Sequence, residues 1–418
     1  MYVHLILHIM KFKRTALAWM LLATACSGIK SPEESSLFEP FADPESGVVS
    51  YVLKYGAPED NRQSIYFTSK SMTNDGRFLV FWYTEGNEKL PGGPGPRHQM
   101  LADLKTDKVY DMGLRTMTPF VETDEDYMVY GDCDRGFFLR RFTDPLKEVK
   151  LCDVPSSLKA LGEVRRLATH LTLTRDRKRA FLDTEILTPE GRSRYIQGML
   201  DLGTGEWDQW NETEWNCDHG QVNPADDDLA MVAWEGCWDE AGRAYQEETG
   251  WYPRMWLMRK GSMELIPAKT INFASHEIWD DDGKGLSWCG HGYMTEEHCV
   301  YHRDLATGEE QVWASVPGAR HNSCSPDNKY VVTDQAPEGW WRGCKWRVAF
   351  FNRETGKYVW VYSTREALMP RDNQSTLHPD PHPHFVANGR YVVSTAGNAD
   401  GHMDLFVTPV AQLIGMTE

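Results

Sequence analysis

Histidine recurs along this chain at one offset from a turn. His170 in THLTLTRD, His276 in SHEIWDDD, His321 in RHNSCSPD and His382 in PHPHFVAN each stand six residues before a turn Asp or Asn, and His219 in DHGQVNPAD stands seven before. Imidazole changes charge between about pH 5 and 8 and readily ligates metal ions, so five copies at one repeated position point to proton transfer or metal binding. A purely folding role needs no shared side chain of intermediate pKa. WCGH places Cys289 and His291 two residues apart, on the same face of a strand. Together with His219 and His276 they supply four soft or borderline ligands, the set of a closed tetrahedral structural zinc site. A second group, NQSTLHPDPHPHF (373–385), crowds His378, His382 and His384 with Gln374 on a segment stiffened by proline. With His321 it suits a harder divalent ion, Mn2+ or Ca2+.

Something must bring these residues together, and the chain repeats itself in a way that does so. A turn followed by an apolar strand occurs seven times: NDGRFLVFWY, DEDYMVYGD, RDRKRAFLDT, ADDDLAMVAW, DDGKGLSWCG, PDNKYVVTDQ and ANGRYVVSTA. Second hairpins follow most of them, as in MLDLGTGEWDQW and FFNRETGKYVWVY. The spacing of roughly 45 to 60 residues is that of a four-stranded blade. Alternating β-branched and aromatic positions, Asp-Gly and Thr-Gly turns and the lack of long 3.6-residue periodicity predict an all-β, seven-bladed β-propeller. The Asp and Gly of the turns are hairpin chemistry. The histidine position opens the innermost strand, so five blades should aim imidazoles into one central funnel.

The 418 residues, 41% hydrophobic and 25% charged, suffice for one large globular core. The formal charge of −17 with scattered Lys and Arg excludes nucleic acid as a partner. MKFKRTALAWMLLATAC, from Met10 to Cys26, has a basic flank, a short apolar run and small residues before a cysteine. That pattern predicts a lipoprotein signal over residues 1–26, a lipid on Cys26, a tether over 27–50 and the propeller over 51–418, in an exported, membrane-anchored, monomeric protein. The eight later cysteines could pair in an oxidising compartment.

The stretches NRQSIYFTSKSMTNDGRFLVF, DHGQVNPADDDLAMVAWEG, SHEIWDDDGKG, RHNSCSPDNKYVVTD and HPHFVANGRYVV resemble the propeller-type polysaccharide lyases, which include oligogalacturonate, ulvan and rhamnose-glucuronate lyases. The similarity runs from about Asn61 to about Val410. It implies a seven-bladed propeller that breaks glycosidic bonds next to uronic acids by β-elimination. In the ulvan-lyase branch the residues matching His219, His276, Cys289 and His291 hold structural zinc. In the oligogalacturonate branch the histidine matching His276 is the proposed base, and those matching His321 and the His382/His384 segment hold manganese. His276 cannot serve both; Cys289 and His291 favour zinc, and with it a glucuronate-rhamnose substrate. Trp215 stands where the ulvan-lyase pattern has an arginine shortly before the first zinc histidine.

β-Elimination requires a cation to neutralise the C6 carboxylate, a base for the C5 proton and an acid for the leaving oxygen. Arg254 in YPRMW and Arg320 beside His321 are the candidates for the first role; His170, His321 and, more weakly, Tyr195 in SRYIQGML are candidates for proton transfer. His382 and His384 should line the path of an anionic oligo- or polysaccharide, with Trp279, Trp340 and Trp341 stacking on sugar faces at the mouth. Competing readings are a non-catalytic propeller that binds glycans or proteins and a hydrolase. No Gly-x-Ser-x-Gly elbow is present, and the acidic pairs fall in turns, which speaks against a serine peptidase and a two-carboxylate glycosidase.

Overall fold

The computed structural model describes residues 28–87, 94–114, 117–268, 274–290, 299–316, 318–335, 347–363, 380–398 and 401–418. Seven antiparallel sheets follow one another around a ring. Each of the seven turn-and-strand repeats becomes the turn and second strand of a blade, the strands being Phe78–Thr84, Tyr127–Asp132, Arg179–Leu187, Ala230–Trp234, Gly285–Gly290, Tyr330–Gln335 and Tyr391–Gly397. Their apolar side chains are buried between neighbouring sheets. Val129, Leu182 and Leu200 share one cluster across blades 2 and 3, for example, and Val331, Ala349 and Val300 another across blades 5 and 6. The fold expected from the sequence is therefore the fold observed.

The ring closes with strands from both ends of the chain. His384–Val386, Tyr391–Gly397 and Met403–Pro409 form the inner part of blade 7, and Val49–Leu53 and Phe38–Ala42 complete it from the N-terminal side. Tyr51 pairs with Val407 and Val52 with Phe406. The tether expected over 27–50 is thus corrected from Phe38 onward. Phe38, Val48, Val52 and Leu53 are buried, so this segment belongs to the core. No helix among the described residues is long and apolar enough to cross a membrane. Among the described residues no two of Cys133, Cys152, Cys217, Cys237, Cys289, Cys299 and Cys324 are joined to each other, and Cys26 and Cys344 lie outside the described residues.

The histidines owe their place to a local irregularity. In blades 4, 5 and 6 the register of the innermost strand slips by one residue, between Asp218 and Gln221, between Ser275 and Ile278, and between Ala319 and Asn322. His219, His276 and His321 each sit in such a bulge, a device that turns a side chain out of the regular alternation. His219, His276 and His382 have φ of 52°, 57° and 45°, in the left-handed region. Histidine tolerates that region better than most side chains, yet the conformation still costs about 1–3 kcal/mol and persists where the surroundings enforce it. The odd offset of His219 has a simple origin. Its turn closes from Asn223 N to Leu229 O, one residue longer than the Asp280 N to Gly285 O closure of blade 5.

Candidate active site

Five imidazoles and one phenol form a continuous arc at the mouth where the innermost strands begin. Ring centroids are 4.0 Å apart for His276 and His321, 4.5 Å for His321 and His382, 4.6 Å for His382 and Tyr66, 4.0 Å for Tyr66 and His170, and 5.2 Å for His170 and His219. The convergence expected of the five histidines is present. Tyr66, which carries no signal in the repeat pattern, stands among them. Blade 1 pairs Ser64 with Phe81 and next Met72 with Leu79, so the seven residues Ile65–Ser71 leave the sheet opposite the single residue Val80. This excursion crosses the axis. Tyr66 stacks on His170 with rings inclined by 8°, and Phe67 lies 5.4 Å from His321. Burial and the nearby Glu277 charge push the Tyr66 phenol well above its usual pKa, against a smaller opposing effect of Arg254.

Carboxylates behind the histidines orient them. Asp334 accepts from both His321 N (2.8 Å) and His321 Nδ1 (2.7 Å), which fixes the tautomer and leaves Nε2 with its lone pair. That nitrogen lies 3.8 Å from Asp380 Oδ2, and His382 Nε2 lies 3.9 Å from the same oxygen. These separations are too long for hydrogen bonds and match ligands that share one ion about 2 Å from each. Burial raises the Asp380 carboxyl to about 7; the Asp334 charge adds to this, while His321 and Arg320 oppose it. Two imidazoles, one buried carboxylate and a second carboxylate behind the first imidazole are a fitting donor set for a divalent cation. Asp218, His219 and Glu235 form the other converging group among the described residues. There His219 Nδ1 is 2.6 Å from Asp218 Oδ1. Burial lowers the His219 pKa, but Asp218 outweighs it and holds the group above its usual value.

The remaining expected residues divide. Of the expected zinc set, Cys289 joins neither converging group among the described residues; it is buried beside Val300 and Trp313 and has Asn322 Nδ2 3.6 Å from its sulfur. His276 has Ser275 Oγ at 3.0 Å from Nδ1, and His291 lies outside the described residues, as do His378, Gln374, Trp340 and Trp341. Arg254 is buried with Nε 2.8 Å from Glu277 Oε1 and a second ion pair to Glu235, so its charge is already matched. Arg320 is buried next to His321.

Three placements correct the sequence reading. Tyr195 lies on the third strand of blade 3, packed with the Phe181 and Trp210 cluster away from the axis. Trp279 ends the strand Ala274–Trp279 that carries His276, about 10 Å further along. It is buried, gives its Nε1–H to Gln221 O (3.0 Å) and lines a cavity of about 460 Å³ on the far side of Phe67. His384 donates from Nδ1 to His382 O (2.9 Å) and accepts at Nε2 from Ser71 Oγ (2.8 Å), which fastens the excursion to blade 7. Burial lowers its pKa to about 4, so it is a neutral structural group rather than a sugar contact.

A β-propeller with a histidine-lined pit at one mouth is the class that fold and site define. Two solved structures described as oligogalacturonate lyase, one in complex with manganese and one from Vibrio parahaemolyticus, align with TM-scores of 0.67 and 0.68 at 19% and 20% identity. Each alignment covers 89% of this chain and 96% of the other. The β-propeller domain of the Trilobed protease from Pyrococcus furiosus aligns with a TM-score of 0.50 at 13% identity, over 83% of this chain and 96% of that one. No protein-family model and no curated protein matches the chain. At these identities the likeness shows the fold.

Proposed function

We propose that the chain is a polysaccharide lyase that breaks a glycosidic bond next to a uronic acid by β-elimination, leaving an unsaturated uronate. The observation that carries this reading is the convergence of His321, Asp380 and His382 with Asp334 behind them. Among the described residues the pit holds Asp218, Glu235, Glu277, Asp334 and Asp380 against Arg254 and Arg320, and Arg254 is already paired twice. An anionic sugar needs more positive charge than that. A divalent cation held by His321, Asp380 and His382 would supply it, drawing charge from the C6 carboxylate so that the C5 proton becomes acidic. Arg320, next in sequence to His321, adds a fixed charge on the same side. With Cys289 turned into the core, His276 is available as the base, and it flanks His321 at 4.0 Å.

The trio and the role of His276 favour an oligogalacturonate substrate. A glucuronate-rhamnose substrate, as in ulvan or arabinogalactan, is the second reading. It is supported by Asn322, which touches both the Cys289 sulfur and the His276 carbonyl and so keeps a thiol next to that histidine. An exported protein anchored by lipid on Cys26 suits either polymer. The test is to incubate purified protein with oligogalacturonate, ulvan and gum arabic, with and without manganese, and to follow the ultraviolet absorbance of the unsaturated product. Growth on oligogalacturonate supports the first reading, and growth on ulvan or gum arabic alone supports the second. Silence on all three with measurable glycan binding would replace the lyase by a non-catalytic propeller.

A further inference from the structure

We propose that Tyr66 is a catalytic residue, the acid that gives its phenolic proton to the glycosidic oxygen leaving C4. This deepens the lyase reading and rests on it. Along the arc of rings the ion-holding residues His321 and His382 occupy the middle, His276 flanks them on one side and Tyr66 on the other. The two proton transfers of β-elimination take place on neighbouring carbons, C5 and C4, beside the carboxylate-bearing C6. A uronate whose carboxylate is seated at the trio therefore meets a base on one flank and a hydroxyl on the other. Tyr66 is half-buried, and no described residue bonds its hydroxyl. Packed tyrosine hydroxyls usually find a partner, as three in this chain do: Tyr83 donates to Asp60, Tyr130 to Glu148 and Tyr362 to Thr395 O. The ring itself is clamped, face to face with His170 at 4.0 Å and edgewise to His382 at 4.6 Å, so its hydroxyl end is held in place. Blade 1 leaves its sheet for seven residues to put it there, and Ser71 fastens the far end of that excursion to His384.

The step balances as follows. The C5–H bond breaks and its proton goes to His276. The electron pair forms the C4=C5 double bond, and the C4–O bond breaks with its pair remaining on oxygen. That oxygen takes the Tyr66 proton, and water restores the phenol and removes the imidazolium proton after product leaves.

The experiment compares Tyr66→Phe with wild type, both loaded with manganese, on two uronates: one with a sugar leaving from C4 and one with an aryl oxide, which departs without protonation. The expected result is a loss of about 10²- to 10⁴-fold in kcat on the sugar-linked substrate, the usual range for a general acid, and a loss under about tenfold on the aryl-linked one. The manganese-induced rise in Tm should be unchanged in the variant, because the ring remains. Equal losses on both substrates, or no loss on the first, overturn the assignment and make Tyr66 a structural residue. A wild type inert on both substrates removes the lyase reading and this assignment with it.

Discussion

Asp183 offers a test of how the pit is built. Its carboxylate, fully buried on the second strand of blade 3, accepts from Thr169 N (2.7 Å) beside His170 and from Gly220 N (2.8 Å) beside His219. One side chain thus ties two of the imidazole-bearing segments together across a blade boundary. Burial raises its pKa from 3.8 to about 6, with Asp218 adding to the rise and Arg166 and the two amide bonds opposing it. The folded protein therefore takes up the proton below about pH 6, whereas the unfolded chain does so only below 3.8. Stability from this group is greatest at or below pH 4 and falls as the pH rises to 6, remaining low above that. About two pH units at 1.36 kcal/mol each give about 3 kcal/mol. Asp183→Asn removes the ionisation, so the wild-type-minus-variant difference in unfolding free energy should change by about 3 kcal/mol between pH 3 and pH 7, in the direction that disfavours wild type at pH 7. Urea unfolding at half-unit pH intervals measures it. A difference that stays flat, or rises with pH, would refute the claim that this carboxylate is carried in the interior at an ionisation cost.

Two further predictions concern the ion and the closure of the ring. Manganese should raise the Tm of wild type at pH 8, and His321→Ala or His382→Ala should each reduce that rise by most of its size, while Cys289→Ala should leave it in place; a full rise in both histidine variants would clear the trio of the role. Deleting residues 28–53 should leave no cooperative unfolding transition by circular dichroism, because Phe38, Val48, Val52 and Leu53 each contribute about 1.5–3 kcal/mol of burial, together as much as a whole domain's stability.

The blades were legible because each repeats its own turn chemistry and its own alternation, and neither depends on distant residues. The five histidines were legible for a related reason: each stands at a nearly fixed distance before its turn, three of them in a bulge, so an inserted residue in one turn appears only as an offset of seven. Tyr66 was not legible. Its excursion interrupts a strand without altering the turn that follows, and nothing local distinguishes IYFTSKS from an ordinary strand and loop. The carboxylates were missed because Asp183 and Asp334 lie on second strands, and their partners are fixed by pairing between strands rather than by spacing. Trp279 was placed wrongly because three residues along an extended strand span most of the depth of the channel. The zinc expectation paired Cys289 with His291 by strand alternation; His291 lies outside the described residues, and the packing of blades 5 and 6 around the thiol, with Asn322 at its sulfur, is fixed by strand pairing rather than by spacing.

The excursion from blade 1 also divides the interior. Phe67 packs against His321 on one side and lines the chamber of about 460 Å³ on the other, so one ring stands between the imidazoles and that chamber. Whatever comes to rest among the histidines lies on the opposite side of the Phe67 ring from that chamber.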